Sequence, residues 1–413
     1  MSVLSSLKGL FAQAEPVQPG VYHYRSPMDA PNRYRLHLRV ESDGSGVLIV
    51  NASTVLHLNV TATEYARFMI DGVSVAESAE RMSRRYRVAR EAAEADARRL
   101  RETIDKLLSA EDVCPITYLD INRIEPFQTP SSAPYRVDLA LTYRCDNQCA
   151  HCYVERPRDT AELSTGDWRK AMDRLWAVGV PHLCFTGGEA TLRDDLETLI
   201  TYAEDVGFVT GLLTNGRRLG DRAYLDSLVA AGLDHVQITL ESHDEAVHNA
   251  MVGSPAWRET VQGVRNSVDA DLYVLTNTTL TRANLANIQR TVDFIADLGV
   301  PAFACNGLIY SGLGKEYDAG IPEAELADVL SEVAEAAERN NLRFIWYTPT
   351  QYCHLNPVEL QMGIKSCTAA KYNVCVEPNG DVIPCQSYYR PLGNALRNEW
   401  SDIWNHPIAR GLR

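Results

Sequence analysis

Three textures of hydrophobic and polar positions follow one another along the chain. Up to about residue 112, short alternating runs at 34–40, 46–50 and 54–59 read as strands, with Ser42-Asp43-Gly44 as the turn between the first two. Helical spacing then takes over at 61–69, 75–86 and 88–108. Thr61 with Glu64, and Ser74 with Glu77, form capping-box pairs that predict where the first two helices start.

From 135 onward, apolar runs of strand length at 135–141, 182–185, 209–213, 235–239, 272–280 and 302–305 alternate with amphipathic stretches at 165–178, 192–203, 221–231, 258–268 and 285–298. Such alternation predicts parallel strands joined by right-handed crossovers. Six units fall short of the eight that close a barrel, so an open, partial barrel is expected, with its chemistry at the C-terminal ends of the strands. A Pro/Ser-rich stretch at 125–134 reads as a linker ahead of it. Beyond a helix at 323–339, a hairpin is expected around the turn Pro378-Asn379-Gly380-Asp381.

Composition narrows the classes of function. At 413 residues two or three domains are expected, and 45% hydrophobic with 23% charged residues is a globular balance. A formal net charge of −14 and a pI near 5.2 argue against a nucleic-acid surface, which needs a basic face. No stretch has the apolar length of a membrane span, and the N-terminus lacks the charged start and apolar middle of a signal peptide. A reducing cytoplasm is therefore expected, where 10 cysteines read as metal ligands and buried thiols rather than disulfides.

Cys145, Cys149 and Cys152 carry the sharpest chemistry. They lie just after the first barrel strand in Leu-Thr-Tyr-Arg-Cys-Asp-Asn-Gln-Cys-Ala-His-Cys-Tyr, a C-x3-C-x2-C spacing. Three thiolates on one loop can ligate three irons of a [4Fe–4S] cubane, leaving the fourth iron open to a substrate or cofactor. A structural zinc site is the alternative. Zinc usually takes paired C-x2-C units from separate segments, and His151 is adjacent to Cys152, where joint ligation is awkward.

The spacing, with Tyr153 after it, resembles the signature of the radical S-adenosylmethionine (SAM) superfamily. The resemblance implies that SAM chelates the open iron and that one electron cleaves it to a 5′-deoxyadenosyl radical. It also implies roles at the strand ends. Gly187, Gly188 and Glu189 look like the element that receives the methionyl amine. Thr214 and Asn215 end the third strand, Thr239, Glu241 and Ser242 the fourth, and Asn277 lies on the fifth, where relatives contact the cofactor. Each of these residues taken singly is also compatible with a strand cap or a turn. Cys184 and Cys305 read as core thiols, and Cys114 lacks a partner at ligand spacing.

The ends of the chain carry two further resemblances. Strands followed by three helices, with the run at 58–72, look like the leader-peptide recognition element (PqqD-like) of ribosomal-peptide modifying enzymes, whose sheet edge accepts a peptide strand. A winged-helix domain kept for packing is the other reading. The phrase from Cys367 to Cys385 resembles the SPASM auxiliary-cluster extension or its shortened twitch form, and no cysteine follows Cys385, which departs from the full pattern. At most one auxiliary iron–sulfur cluster is then expected, on Cys367, Cys385 and one or two of Cys353 and Cys375. Cys375 falls within a strand and also fits a buried thiol, and a zinc or metal-free hairpin stays open.

Together these readings give an α/β chain: an N-terminal winged-helix-like peptide-recognition domain (1–112), a linker (113–134), a partial (β/α)6 radical SAM barrel (135–342) and a small C-terminal β-hairpin cluster domain (343–413). The expected activity is radical SAM modification of a ribosomally made peptide, with flavodoxin or ferredoxin as electron donor and no nucleic-acid or membrane partner. The alternatives are a radical SAM enzyme acting on a small molecule, and a non-catalytic iron–sulfur or peptide-binding protein.

Overall fold

The computed structural model describes residues 17–27, 30, 34–51, 54–109 and 131–413. They divide into two compact units, one holding the chain up to Ser132 with Ala177–Pro181, the other the remainder. The linker expected at 113–134 lies, up to residue 130, outside the described residues, as does Cys114. Among the described residues no helix is long and apolar enough to cross a membrane.

The N-terminal unit is an antiparallel meander of β1 (Gly20–Arg25), β2 (Arg35–Val40), β3 (Gly46–Val50) and β4 (Thr54–Leu58), in that spatial order. Helices α1 (Val60–Ile70), α2 (Val75–Tyr86) and α3 (Arg90–Ser109) follow. Leu36, Leu38, Leu48, Leu56, Ala66 and Ile104 form its core. The central strands β2 and β3 are buried throughout, which is why their apolar runs are legible. The outer strand β1 is half-exposed and has one neighbour, so it leaves little apolar signal and the sequence pattern misses it.

Ser74 caps α2 as the sequence predicts, its Oγ accepting from the Glu77 N–H at 3.2 Å. The cap of α1 differs. Asn59, not Thr61, accepts from the Ala62 N–H at 2.9 Å, and Glu64 turns into the interior to accept from the Tyr86 hydroxyl at 2.6 Å. Asn is as good a capping residue as Thr, and a buried tyrosine hydroxyl needs a partner.

The second unit carries the parallel sheet β5 (Arg136–Thr142), β6 (His182–Gly187), β7 (Val209–Thr214), β8 (His235–Thr239), β9 (Tyr273–Leu280), β10 (Ala302–Gly307) and β11 (Arg343–Trp346), adjacent in that order. Helices α4 (Thr165–Ala177), α5 (Leu196–Val206), α6 (Arg222–Ala230), α7 (Glu245–Val252), α8 (Trp257–Val268), α9 (Ile288–Asp297) and α10 (Leu326–Arg339) fill the crossovers. On β5 to β10 the apolar residues of one face are buried, as with Val137, Leu139, Phe185, Val236 and Ile238, with α5 against β7 and α8 against β8. The other face carries polar and part-exposed residues, Gln237 and Thr239 alternating with the buried pair on β8. This is the expected open, partial barrel with one strand more than the sequence predicts. β11 is a four-residue edge strand that pairs with β10 beyond the boundary expected at 342.

The C-terminal segment adds β12 (Asn373–Val376), β13 (Asp381–Ile383), β14 (Gly393–Asn394), α11 (Trp400–Trp404) and α12 (Pro407–Leu412). The expected hairpin forms, with β12 antiparallel to β13. It is joined to the barrel rather than set apart. β12 runs parallel to β5, Val374 opposite Val137 and Cys375 opposite Asp138, so one ten-stranded sheet runs from β11 to β14.

Candidate active site

β5 ends at Thr142 and the chain turns at once into the cysteine loop, which neighbouring strand exits grip by their backbones. The Gly188 N–H donates to the Thr142 carbonyl and the Glu189 N–H to the Arg144 carbonyl, both at 2.8 Å. The approach is too close for side chains. A Cβ on Gly187, whose φ is +138°, would lie 2.0 Å from the Thr142 oxygen, and one on Gly188 2.4 Å from the Arg144 oxygen. These paired glycines bring the exit of β6 against the cysteine loop itself. On the far side, the Gln148 and Ala150 N–H groups donate to Val252 and Met251 at the end of α7, at 2.9 and 3.1 Å. Arg158 donates to the carbonyls of Cys145 and Asn147 at 2.6 Å each, and Asn215 Nδ2 donates to Asp146 Oδ1 at 2.6 Å.

The three thiols are half-buried. Burial pushes Cys145 up to about 11 and Cys149 higher still, with the charges of Glu241 and Cys152 adding to the rise at Cys149. Without a metal both stay protonated at neutral pH, and a bound metal is what makes them thiolates. Cys149 lies close enough to sense both other thiols. Three thiols brought together on one loop suit a [4Fe–4S] cluster, each taking one iron. His151 Nε2 is 3.0 Å from Glu241 Oε1, while its Nδ1 is buried without a partner.

At the strand ends the candidate residues fall into two sets. Glu189 is buried, and one oxygen accepts from the Thr191 N–H (3.0 Å), the Thr191 hydroxyl (2.8 Å) and the Thr214 hydroxyl (2.8 Å) while the other accepts from the Asn215 N–H (2.8 Å). Burial raises its pKa, and those four donors offset only part of the rise. Glu241 is likewise engaged, with His151 on one oxygen and the Thr279 N–H on the other at 2.8 Å, and the Ser242 hydroxyl accepts from the Asp244 N–H at 3.1 Å. Glu189, Thr214, Glu241 and Ser242 thus brace the loops within the protein. Thr239 and Asn277 are different. They face each other across β8 and β9, and Asn277 donates to Asn306 Oδ1 at 2.8 Å while its own Oδ1 is buried without a partner. Asn306 escaped the sequence reading because Cys305-Asn306-Gly307 looks like a plain strand end. The available signal was its position at the C-terminal end of a barrel strand, shared with Thr239.

The hairpin reaches the same loop. The Tyr153 hydroxyl, buried with its pKa raised by desolvation, donates to Gln386 Oε1 at 2.5 Å, and Gln386 Nε2 donates to Asp138 Oδ2 at 2.8 Å. Glu377 accepts from Tyr143 at 3.0 Å and from Arg156 at 2.7 and 3.1 Å. Cys385, its thiol pushed up by burial, senses Cys367 and lies 3.4 Å from the Ser387 hydroxyl. Cys353 and Cys367 are exposed. The Tyr352 hydroxyl, donating to the Lys365 carbonyl at 3.0 Å, draws the segment of Cys353 to that of Cys367. Cys375 packs with Ala140, Tyr143 and Ile383 and donates weakly to Val376 at 3.7 Å, as a core thiol does.

Comparison with known proteins decides the family. Residues 139–295 match the Radical SAM superfamily, and residues 367–413 match the SPASM iron–sulfur cluster-binding domain. A PqqA peptide cyclase of Streptomyces rochei is 30% identical over 284 residues, which span 66% of this chain and 76% of that protein. The chain belongs to the radical SAM superfamily. A second PqqA peptide cyclase, from Bradyrhizobium diazoefficiens, is 31% identical over 284 residues, covering 67% of this chain and 72% of that one. Among solved structures, Streptococcus suis SuiB bound to precursor peptide SuiA shares the fold with a TM-score of 0.68 at 16% identity, over 91% of this chain and 88% of that one.

This radical SAM chain is therefore an enzyme that uses a [4Fe–4S] cluster and SAM, with an iron–sulfur extension at its C-terminus. Its residues fit those groups. Three thiols on one clamped loop suit the cluster, and the unpartnered Asn277 oxygen suits a polar cofactor at the strand ends.

Proposed function

We propose that this radical SAM enzyme modifies a ribosomally made peptide, and that the N-terminal unit, residues 1–112, holds the precursor by strand addition. The observation that supports this reading is a self-contained meander, ending in outer strands β1 and β4, placed ahead of a barrel whose strand ends carry the cysteine loop. Outer strands offer main-chain groups to an extended peptide, and neighbouring apolar side chains set its register. The names of the relatives, cyclases of a peptide and an enzyme bound to its precursor peptide, point the same way. In this division 113–134 links the domains, 135–342 is the barrel and 343–413 carries an auxiliary cluster on Cys367, Cys385 and one or two of Cys353 and Cys375.

Bound cluster and SAM supply an electron and a 5′-deoxyadenosyl radical able to take hydrogen from a C–H bond. The chain's own residues hold the cluster on Cys145, Cys149 and Cys152, with Glu189, Asn215 and Glu241 keeping that loop in place. Thr239, Asn277 and Asn306 offer polar contacts to the cofactor, and the barrel wall excludes water. A small flavodoxin or ferredoxin in the cytoplasm would deliver the electron.

Anaerobic reconstitution tests the reading. Iron and sulfide should load, SAM with reductant should yield 5′-deoxyadenosine, and replacing Cys145, Cys149 and Cys152 with Ala should abolish that yield. Zinc in place of iron, or undiminished deoxyadenosine from the triple variant, refutes it. A precursor peptide should bind residues 1–112 below micromolar concentration, and proline in its paired segment should weaken binding. If removal of residues 1–112 leaves substrate turnover unchanged, the enzyme acts on a small molecule instead.

A further inference from the structure

A second group of ligand-type side chains lies at the opposite end of the barrel strands. His182 opens β6, Cys184 follows two positions along the same face, and His235 opens β8. Register sets Cys184 opposite Gly211 of β7, and Gly211 opposite His235. The two Nε2 atoms are 2.8 Å apart, Cys184 Sγ is 3.4 Å from His182 Nε2, and all three ligand atoms fall within 4.8 Å of one another. Among the described residues this is the group whose donor atoms converge on a point that one ion could occupy.

Gly211 supplies an independent observation. A Cβ there would lie 2.2 Å from His235 Cε1, 2.3 Å from His235 Nε2 and 2.9 Å from Cys184 Sγ. Its φ is not in the positive region, so the backbone does not require glycine at this position. The space does: the His235 ring lies directly on Gly211, and a side chain at this position would displace that ring and crowd Cys184.

We propose that His182 Nε2, Cys184 Sγ and His235 Nε2 bind one Zn²⁺ ion, with water as fourth ligand. Two imidazoles and a thiolate form a mixed donor set suited to zinc. Tetrahedral zinc, with bonds of about 2.0–2.1 Å to nitrogen and about 2.3 Å to sulfur, holds its ligand atoms roughly 3.3–3.6 Å apart. The imidazole pair needs to open by about half an ångström to reach that, and the Cys184–His182 separation already fits. On binding, the proton between the imidazoles moves to the Nδ1 of its own ring, and Cys184 gives its proton to solvent. Arg136, on the same face, is paired at 3.0 Å with Asp138, which offsets its charge. The ion would fasten β6 to β8 across β7, at the end of the barrel away from the cysteine loop.

The test uses the full-length protein, reconstituted anaerobically with iron and sulfide, exposed to zinc and desalted. Wild type should retain about one zinc per chain, and zinc-edge X-ray absorption should show a shell of two nitrogens, one sulfur and one light atom. The Cys145/Cys149/Cys152→Ala variant should lose the iron of that loop yet keep that zinc, whereas Cys184→Ser and His235→Gln should lose at least nine-tenths of the zinc with iron unchanged. A sulfur-rich zinc shell in wild type, which would place the ion on cluster cysteines, overturns the proposal. So does wild-type protein that retains no zinc, a measurement independent of whether the variants fold.

Discussion

The imidazole of His151 and the carboxylate of Glu241 meet at 3.0 Å, and this contact ties the middle of the cysteine loop to the end of β8. Glu241 is wholly buried, and its second oxygen takes the Thr279 N–H. The carboxylate is therefore a bracket between three parts of the barrel rim. Glu241→Ala strips His151 and Thr279 of a buried partner, a loss of about 1–3 kcal/mol for each group left unsatisfied. The expected outcome is a lower denaturation midpoint and iron depleted from the Cys145/Cys149/Cys152 loop. Unchanged iron and midpoint would remove Glu241 from that role.

Gly188→Ala tests the grip of β6 on the same loop. The added methyl would sit 2.4 Å from the Arg144 carbonyl, inside any tolerable contact, and the obstacle is backbone rather than a movable side chain. The loop must shift, so deoxyadenosine formation should fall by at least tenfold while iron held at the hairpin persists. Wild-type SAM cleavage by this variant would show that the loop has room to give.

Glu377 does for the hairpin what Glu241 does for the rim, accepting from Tyr143 and Arg156 together. Glu377→Ala leaves a buried hydroxyl unsatisfied, which costs about 1–3 kcal/mol, and frees a guanidinium. Glu377→Gln keeps a carbonyl acceptor and should recover part of the loss. Urea denaturation of the three proteins orders them wild type, Gln, Ala.

His248 predicts a pH dependence. Burial lowers its pKa to about 4, against the pull of Glu241, while in the unfolded chain it titrates near 6.5. The folded protein thus resists a proton that the unfolded chain accepts. This contribution is complete above pH 6.5, declines as pH falls towards 4, and is exhausted below it. Between pH 7 and 5 the decline amounts to about 2 kcal/mol. His248→Gln, whose amide oxygen can still accept the Glu241 N–H, should lose less stability than wild type over that interval when both are unfolded chemically. Parallel curves for the two proteins would contradict this.

Asn59→Ala and Thr61→Ala separate two possible starts for α1. Removing the Asn59 cap should cost about 1 kcal/mol. Thr61, whose hydroxyl leans on Asn59 Oδ1 at 2.9 Å, should cost only a few tenths by comparison. Equal losses would return the cap to Thr61.

How much of this is written plainly in the chain depends on whether the governing contacts are local. The inner barrel strands are legible because the apolar residues of one face are buried, so β6 and β8 announce themselves by those positions. Strands β1 and β11 are outer strands with one neighbour each, and their residues carry no such mark. The cysteine loop was identifiable from spacing alone, and so were the glycines beside it. What those glycines approach was not, since the Thr142 and Arg144 carbonyls come from a strand more than forty residues earlier in the chain. Separation in sequence, of 25 to 38 residues, also hid the engagement of Glu189 and Glu241. A strand-end carboxylate looks available in sequence, and only the fold reveals the N–H and hydroxyl groups already waiting for it.

The parallel pairing of Val374 with Val137 also bears on how this molecule can be made. β5 is the first barrel strand to leave the ribosome, yet the partner for its outer edge is synthesised more than two hundred residues later. Until then that edge presents unpaired main-chain groups to any extended segment nearby. The barrel therefore reaches its finished border only when the C-terminus is present, and such long-range pairing is slow to form. Shortening the chain before residue 373 would remove more than an electron-transfer accessory: it would expose the border of the catalytic sheet and invite aggregation.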